Sequence, residues 1–216
     1  MDGIAVCSLA LPAASMTVVK ELARIVADKI RQFKPEVVMG LPTGGLVLAP
    51  FVAEELGFDR HIPWGYSHKP WYWHDQLTTE VSCIFDPPDT GPRVYLDPNL
   101  LPLIEGKRIA LIDDVISSGS TISKMLKYLT DEVVTVKEVE SKEVTNGERM
   151  NAGVTIEKTT KEKNKGGLGL NIVCVGAGML QGEKYKTLLS PEVVKMVVGA
   201  VESPLLKAVE GGWVQR

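Results

Sequence analysis

The chain has no surplus of basic charge, no paired cysteines and no long apolar run, and each absence removes a class of function. Its 24 Lys and Arg against 27 Asp and Glu leave a formal charge of −3. That gives no broad electrostatic footprint for DNA or RNA, so any anionic ligand must be held locally by a few groups. Cys7, Cys83 and Cys174 are widely spaced and form no CxxC pair, which argues against a zinc site. Set among apolar neighbours, they read as reduced core residues of a cytoplasmic protein. No segment approaches the ~18 uninterrupted apolar residues of a membrane span. The stretch MDGIAVCSLALPAAS has an apolar patch but no basic lead-in, unlike a secretory leader. With 216 residues, 44% of them hydrophobic, the expectation is one large domain over 1–216, without membrane or nucleic acid as partner.

What is present has the rhythm of an α/β protein. Val18, Val19, Leu22, Ile25, Val26 and Ile30 fall at three- and four-residue spacing, which predicts a helix over 18–33, with Pro35 helping to end it. PEVVMG is too short for a helix and suits a buried strand; LPTGG is a tight turn; LVLAPFVAEELG restores a helical pattern that stops at Gly57. Residues 93–96, 108–112 and 171–175 are further strand candidates, and 121–129 is helical in pattern, so the strand, turn and helix unit recurs. Two stretches break the rhythm. WGYSHKPWYWHDQ (64–76) is aromatic, basic and polar at once and reads as a mobile surface loop. Residues 131–167 alternate Glu with Lys and Arg around Asn146-Gly147, a favoured hairpin turn; the expectation is a protruding β-hairpin with a floppy end, the alternative disorder throughout.

The stretch RIALIDDVISSGST (108–121) sets two carboxylates between an apolar strand and a cluster of hydroxyls and glycine. Open α/β sheets bind ligands at the carboxyl ends of their strands, which puts Asp113 and Asp114 at the rim of a cleft. Ser117, Ser118, Gly119, Ser120 and Thr121 form a turn whose successive N–H groups face one point where a helix begins, a phosphate cradle without lysine. Gly119 lets the backbone approach closely. The acids would repel a bare phosphate, so they are read as accepting hydrogen bonds from neutral hydroxyls of the same ligand, and a sugar phosphate satisfies both halves. Capping of a helix needs one acid rather than two followed by SSGST.

This arrangement resembles the 5-phosphoribosyl-1-pyrophosphate (PRPP) motif of type I phosphoribosyltransferases: an apolar strand, two acids, two apolar residues and a TGGT-like loop. The resemblance implies that Asp113 and Asp114 bind the ribose 2- and 3-hydroxyls and that 117–121 bind the 5-phosphate. VVMGLPTGG resembles the family's pyrophosphate loop, which often contains a non-proline cis peptide. By that likeness Thr43, Gly44 and Gly45 would hold the leaving group with backbone amides; read alone, the segment is an ordinary strand-to-helix turn. The resemblance covers roughly 17–129 and resumes at 171. It implies an open, mainly parallel sheet flanked by helices, with a small hood, to which 131–167 adds a hairpin-like insertion.

The implied reaction moves the 5-phosphoribosyl group from PRPP to a nitrogenous base and releases pyrophosphate through an oxocarbenium-like transition state. Mg2+ is the implied cofactor, with Asp113 and Asp114 the nearest protein candidates and no firm ligand assigned. Lys69, beside His68, Trp71, Tyr72 and Trp73, lies where family members carry a closing lid; it meets pyrophosphate or is a solvated surface lysine. Hypoxanthine-guanine enzymes carry an acid where this chain has Ser117, and adenine enzymes a Glu on the preceding strand, where VSCIF has none until Asp86. The layout is most like the adenine-type branch and its relatives, so a purine is the expected acceptor.

NIVCVGAGMLQG mimics a dinucleotide fingerprint, but Lys184, Tyr185, Lys186 and Pro191 do not continue such a unit. It reads as the end of a late core strand near the base pocket. Trp213 stacks on a base from the hood or packs on its own domain. The alternative to an enzyme is a PRPP- or nucleotide-sensing regulator that lost turnover. A homodimer is expected.

Overall fold

The computed structural model describes residues 3–67, 69, 78–80, 93–130 and 168–215. After a two-residue strand β1 (Ile4–Ala5), helix α1 (Met16–Ile30) opens where the Ser15 side chain accepts from the Val18 N–H. Its buried positions Val19, Leu22, Ala23, Val26, Ala27 and Ile30 follow the expected spacing. The last three residues of the predicted helix form a 3-10 turn that ends at Lys34. Strand β2 (Val37–Gly40) and helix α2 (Gly45–Leu56) follow. Gly57 closes α2 at a φ of 84°, donating to Ala53 and Glu54, as a left-handed cap does.

Next come β3 (Ile62–Gly65), β4 (Thr78–Glu80), β5 (Arg93–Leu96), the short α3 (Leu101–Ile104), β6 (Arg108–Ile116) and α4 (Ser120–Leu129). The chain then gives β7 (Asn171–Gln181), two short helices α5 (Lys184–Leu188) and α6 (Pro191–Val194), and β8 (Val197–Ser203), β9 (Leu206–Val209) and β10 (Gly212–Gln215).

Seven strands form one sheet in the order β4-β5-β3-β2-β6-β7-β8. β3, β2, β6, β7 and β8 are parallel, and β5 and β4 continue the β3 edge antiparallel. From β2 the chain steps one way to β3, then returns to place β6, β7 and β8 on the other side. The reversal between β2 and β6 makes the kind of crevice in which α/β sheets bind ligands.

Both faces of the sheet are covered, which is why its central strands are continuously apolar. On β6, Ala110 and Ile112 join Val38 and Cys174 under α1 and α2. Ile109 and Leu111 join Met39 and Trp64 under Met125, Leu126 and Leu129 of α4.

The fold is thus the expected open, mainly parallel α/β sheet flanked by helices, and four local readings change. Trp64 is not in a surface loop: it is 1% exposed, sits in β3, and meets Tyr128 edge to face with ring centroids 6.2 Å apart. Only Ile62 and Trp64 point inward from this four-residue strand, too short an alternation to read. β6 and β7 run on to Ile116 and Gln181 and stay paired past the acids, Asp113 to Ala177 and Ile116 to Leu180.

Cys7 is exposed rather than in the core, whereas Cys174 is buried, and burial pushes its thiol up to about 12. Trp213 is 53% exposed, so it does not pack into its own domain. It belongs to a separate antiparallel sheet, β1-β9-β10, which follows β8 at the carboxyl end of the main sheet and occupies the place of the small hood. The charged stretch 131–167, with its predicted hairpin, and residues 68 and 70–77 of the aromatic loop lie outside the described residues.

Candidate functional site

The two glycine turns meet. β2 and β6 pair from Val37 with Ile109 to Gly40 with Ile112, and the Leu41 N–H donates to the Ile112 carbonyl at 2.9 Å. This carries the turn after β2 onto the acidic end of β6. A Cβ on Gly44 would lie 2.1 Å from Asp114 Oδ2, and one on Gly45 would lie 2.5 Å from the Ile112 carbonyl oxygen. Neither position admits a side chain, so these glycines are required by the approach of one loop to the other. Thr43 stays exposed in front of them, the Pro42–Thr43 peptide is cis, and the Tyr66 hydroxyl donates to the Pro42 carbonyl at 3.1 Å.

Beyond β6, Gly119 has a φ of 81°, a conformation costly for any other residue. A Cβ there would also come within 3.0 Å of Tyr185 Cβ, and the Tyr185 N–H donates to the Ser117 carbonyl at 3.2 Å. α5 therefore braces the turn from behind. Ser118 is buried and its Oγ accepts from the Ser120 N–H at 3.3 Å. α2 and α4, which follow the two turns, both begin without a side-chain cap, whereas Ser15 caps α1 and Ser190 caps α6. Uncapped helix starts present donors and the positive end of a dipole, suited to anions.

A cavity of about 310 Å³ is lined by residues 113–122 and Gln181. Asp113, Asp114, Ser117, Ser118, Gly119, Ser120 and Thr121 are all on its wall; Gly44 reaches it only through Asp114, and Lys69 is not on it. Lys69 is partly exposed and lies outside any helix or strand. Asp113 is 7% exposed, accepts from the Asp114 N–H at 2.9 Å, and is pushed well above the ordinary aspartate range, first by burial and then by the charge of Asp114. Asp114 accepts from the Val115 N–H at 2.8 Å through Oδ1, while its Oδ2 lies against Gly44.

Gln181 was not among the expected site residues. It ends β7, 6% exposed, with Nε2 donating to the Cys7 carbonyl at 2.7 Å. Its partner lies 174 residues away in sequence, and no local pattern signals such a contact.

The glycines that mimicked a dinucleotide fingerprint lie inside β7. A Cβ on Gly176 would sit 2.7 Å from Val26 Cγ1, and one on Gly178 would sit 2.9 Å from Leu9 Cδ2. They let α1 and the N-terminal segment pack on the strand. Among the described residues there is no group of three or more His, Cys, Asp and Glu placed to hold a metal, and no helix is long and apolar enough to cross a membrane.

Among solved structures, the chain resembles adenine phosphoribosyltransferase from Rhodothermus marinus, with a TM-score of 0.51 at 13% identity over 93% of this chain and 94% of that one. The enzyme of the same description from Thermoanaerobacter pseudethanolicus gives a TM-score of 0.50 at 15% identity, covering 85% and 80%. At such identities the likeness is one of fold.

Two curated relatives bear regulatory or mixed names. The transcriptional regulator GfcR of Methanococcus maripaludis is 25% identical over 118 residues, covering 54% of this chain and 48% of the relative. The bifunctional protein PyrR of Corynebacterium diphtheriae is 33% identical over 104 residues, covering 45% and 47%. The chain thus matches about half the length of these relatives. The phosphoribosyl transferase domain family matches residues 13–165, and with the two loops and the sheet that carries them this chain belongs to that family.

Proposed function

We propose that the protein transfers the 5-phosphoribosyl group of PRPP to a purine base and releases pyrophosphate. The observation that carries this reading is the close approach of Gly44 to Asp114, because it sets the turn after β2 against the acids that lead into the turn after β6. A phosphate at the Ser117–Thr121 turn, ribose hydroxyls on Asp113 and Asp114, and pyrophosphate before Thr43, Gly44 and Gly45 then lie in the order in which PRPP carries those groups.

Little covalent chemistry falls to such a site, which works by positioning and by stabilising charge. The Ser117–Thr121 turn holds the 5-phosphate with backbone donors and hydroxyls. Asp113 and Asp114 fix the ribose, each through charge-assisted hydrogen bonds. Asp113 is protonated more readily than an ordinary aspartate because it is buried, so binding hydroxyl donors favours release of its proton. Thr43, Gly44 and Gly45 steady the departing pyrophosphate.

Two adjacent carboxylates on one cavity wall fit a hard divalent cation shared with ligand oxygens. Mg2+ bound at Asp113 and Asp114 would neutralise charge on the leaving group. Lys69 would approach pyrophosphate when the loop that carries it closes. This reading places the protein in the cytoplasm, as a homodimer whose 131–167 stretch is an insertion.

The test is a panel assay of PRPP with each free base, with pyrophosphate release as the readout; turnover with a purine is expected, and no release with any base ends the enzymatic reading. The names of the relatives favour a second reading, a PRPP- or nucleotide-sensing regulator. Its signature is saturable PRPP binding without turnover.

A further inference from the structure

We infer that Gln181 selects the base, by presenting one fixed hydrogen-bond acceptor to the exocyclic amine of a purine; the inference rests on the cavity being a phosphoribosyl site. The amide orientation follows from its partner. The Cys7 carbonyl can only accept, so the nitrogen of Gln181 must face it, as the 2.7 Å contact shows. The oxygen Oε1 is therefore turned away. It accepts no hydrogen bond from any described residue.

Two buried polar side-chain atoms among the described residues are sealed and unpartnered, Trp64 Nε1 and Ser123 Oγ. Gln181 Oε1 is not among these sealed atoms, and Gln181 lines the cavity. The backbone around it is held: Gln181 pairs with Ser203 of β8, the Gly182 N–H donates to the Ser203 carbonyl at 2.8 Å, and the chain turns away at Gly182 with a φ of 63°.

The chemistry of the cavity leaves one part of the ligand for this oxygen. A carbonyl oxygen repels phosphate, and the phosphate has the Ser117–Thr121 turn. The ribose hydroxyls have Asp113 and Asp114. What remains is the base, and an acceptor whose own donor is already engaged discriminates by sign. An amine donates to Oε1, whereas a ring carbonyl at the same place sets oxygen against oxygen and leaves both unsatisfied. Sites that hydrogen-bond a substrate group reject analogues lacking it more strongly than apolar pockets reject a change of size. The substrate class is thus a purine with an exocyclic amine in preference to its oxo counterpart.

The test uses adenosine 5′-monophosphate, inosine 5′-monophosphate and ribose 5-phosphate, each titrated calorimetrically into the wild type and Gln181→Leu. The wild type is expected to favour the amino nucleotide by about tenfold. In Gln181→Leu that ratio falls to within about twofold, while ribose 5-phosphate affinity stays within about twofold of wild type. Gln181→Met, which fills similar volume without a hydrogen-bonding amide, gives the same collapse and serves if the Leu variant does not fold.

The inference is overturned if the wild type shows no preference or favours the oxo nucleotide, or if a variant keeps the preference. It is overturned equally if the variants lose ribose 5-phosphate affinity as much as nucleotide affinity, since Gln181 would then only support the fold. A wild type that binds the nucleotides but shows an unchanged preference in the variants leaves the phosphoribosyl reading standing. A wild type that binds no ribose 5-phosphate removes that reading and this inference together.

Discussion

The turn after β2 and the turn after β6 are the same unit, strand to glycine turn to helix, used in opposite ways. In the first, Gly44 and Gly45 have no room for a side chain because Asp114 and the Ile112 carbonyl occupy it. These glycines face the protein. In the second, Gly119 is left-handed and braced from behind by Tyr185, and Ser117 to Thr121 around it line the cavity. A glycine in a strand-to-helix turn thus has two distinct physical reasons, close approach or a positive φ, and only Gly119 shows the second.

The comparison is broken most severely at Gly44. Gly44→Ala forces Asp114 off its position, and since misplacement by about 1 Å costs roughly 100-fold, kcat/KM for PRPP should fall by that order in steady-state assays. Circular dichroism should still report a folded chain.

Gly119→Ala tests the other reason. The left-handed backbone should cost about 1–2 kcal/mol of stability in urea unfolding. Ribose 5-phosphate binding should weaken with it, while the carboxylate pair stays in place.

Asp113→Asn separates site from fold. Because burial raises Asp113 in the folded state, folding takes up a proton as pH rises above the ordinary aspartate value of about 3.9. Wild-type stability is therefore lost from there up through the raised folded value and is flat beyond it. Asn removes that loss, so its gain in Tm over the wild type should be near zero at about pH 4 and grow toward neutral pH, while ribose affinity falls. A Tm difference that does not change with pH would show that Asp113 is not buried against its charge.

Tyr66→Phe is the smallest change. It removes one exposed hydrogen bond to Pro42, of the kind that contributes about 0.5–1.5 kcal/mol. It should raise the KM for PRPP a few-fold at most and leave Tm within a degree or two.

How much could be read from sequence follows from the range of each contact. The central strands and α1, α2 and α4 announce themselves by local periodicity. The RIALIDDVISSGST and VVMGLPTGG turns carry enough chemistry to name a family, and their meeting follows once the two strands pair. What escaped is non-local or very short. The alternation in β3 has two inward residues; β1 pairs with β9 across nearly the whole chain; Gln181 is held by Cys7. β6 and β7 outlast their predicted ends because pairing with a neighbour, rather than hydrophobic pattern, carries a strand through Asp113 and Asp114.

The most direct measurement is calorimetric titration of PRPP with Mg2+ into the wild type and the Asp113→Asn, Asp114→Asn double variant. Charge-assisted hydrogen bonds contribute about 1.5–3 kcal/mol each, so saturable binding to the wild type and at least about a tenfold loss in a still-folded double variant are predicted. Wild-type affinity in the double variant would contradict a PRPP site at the meeting of the two loops.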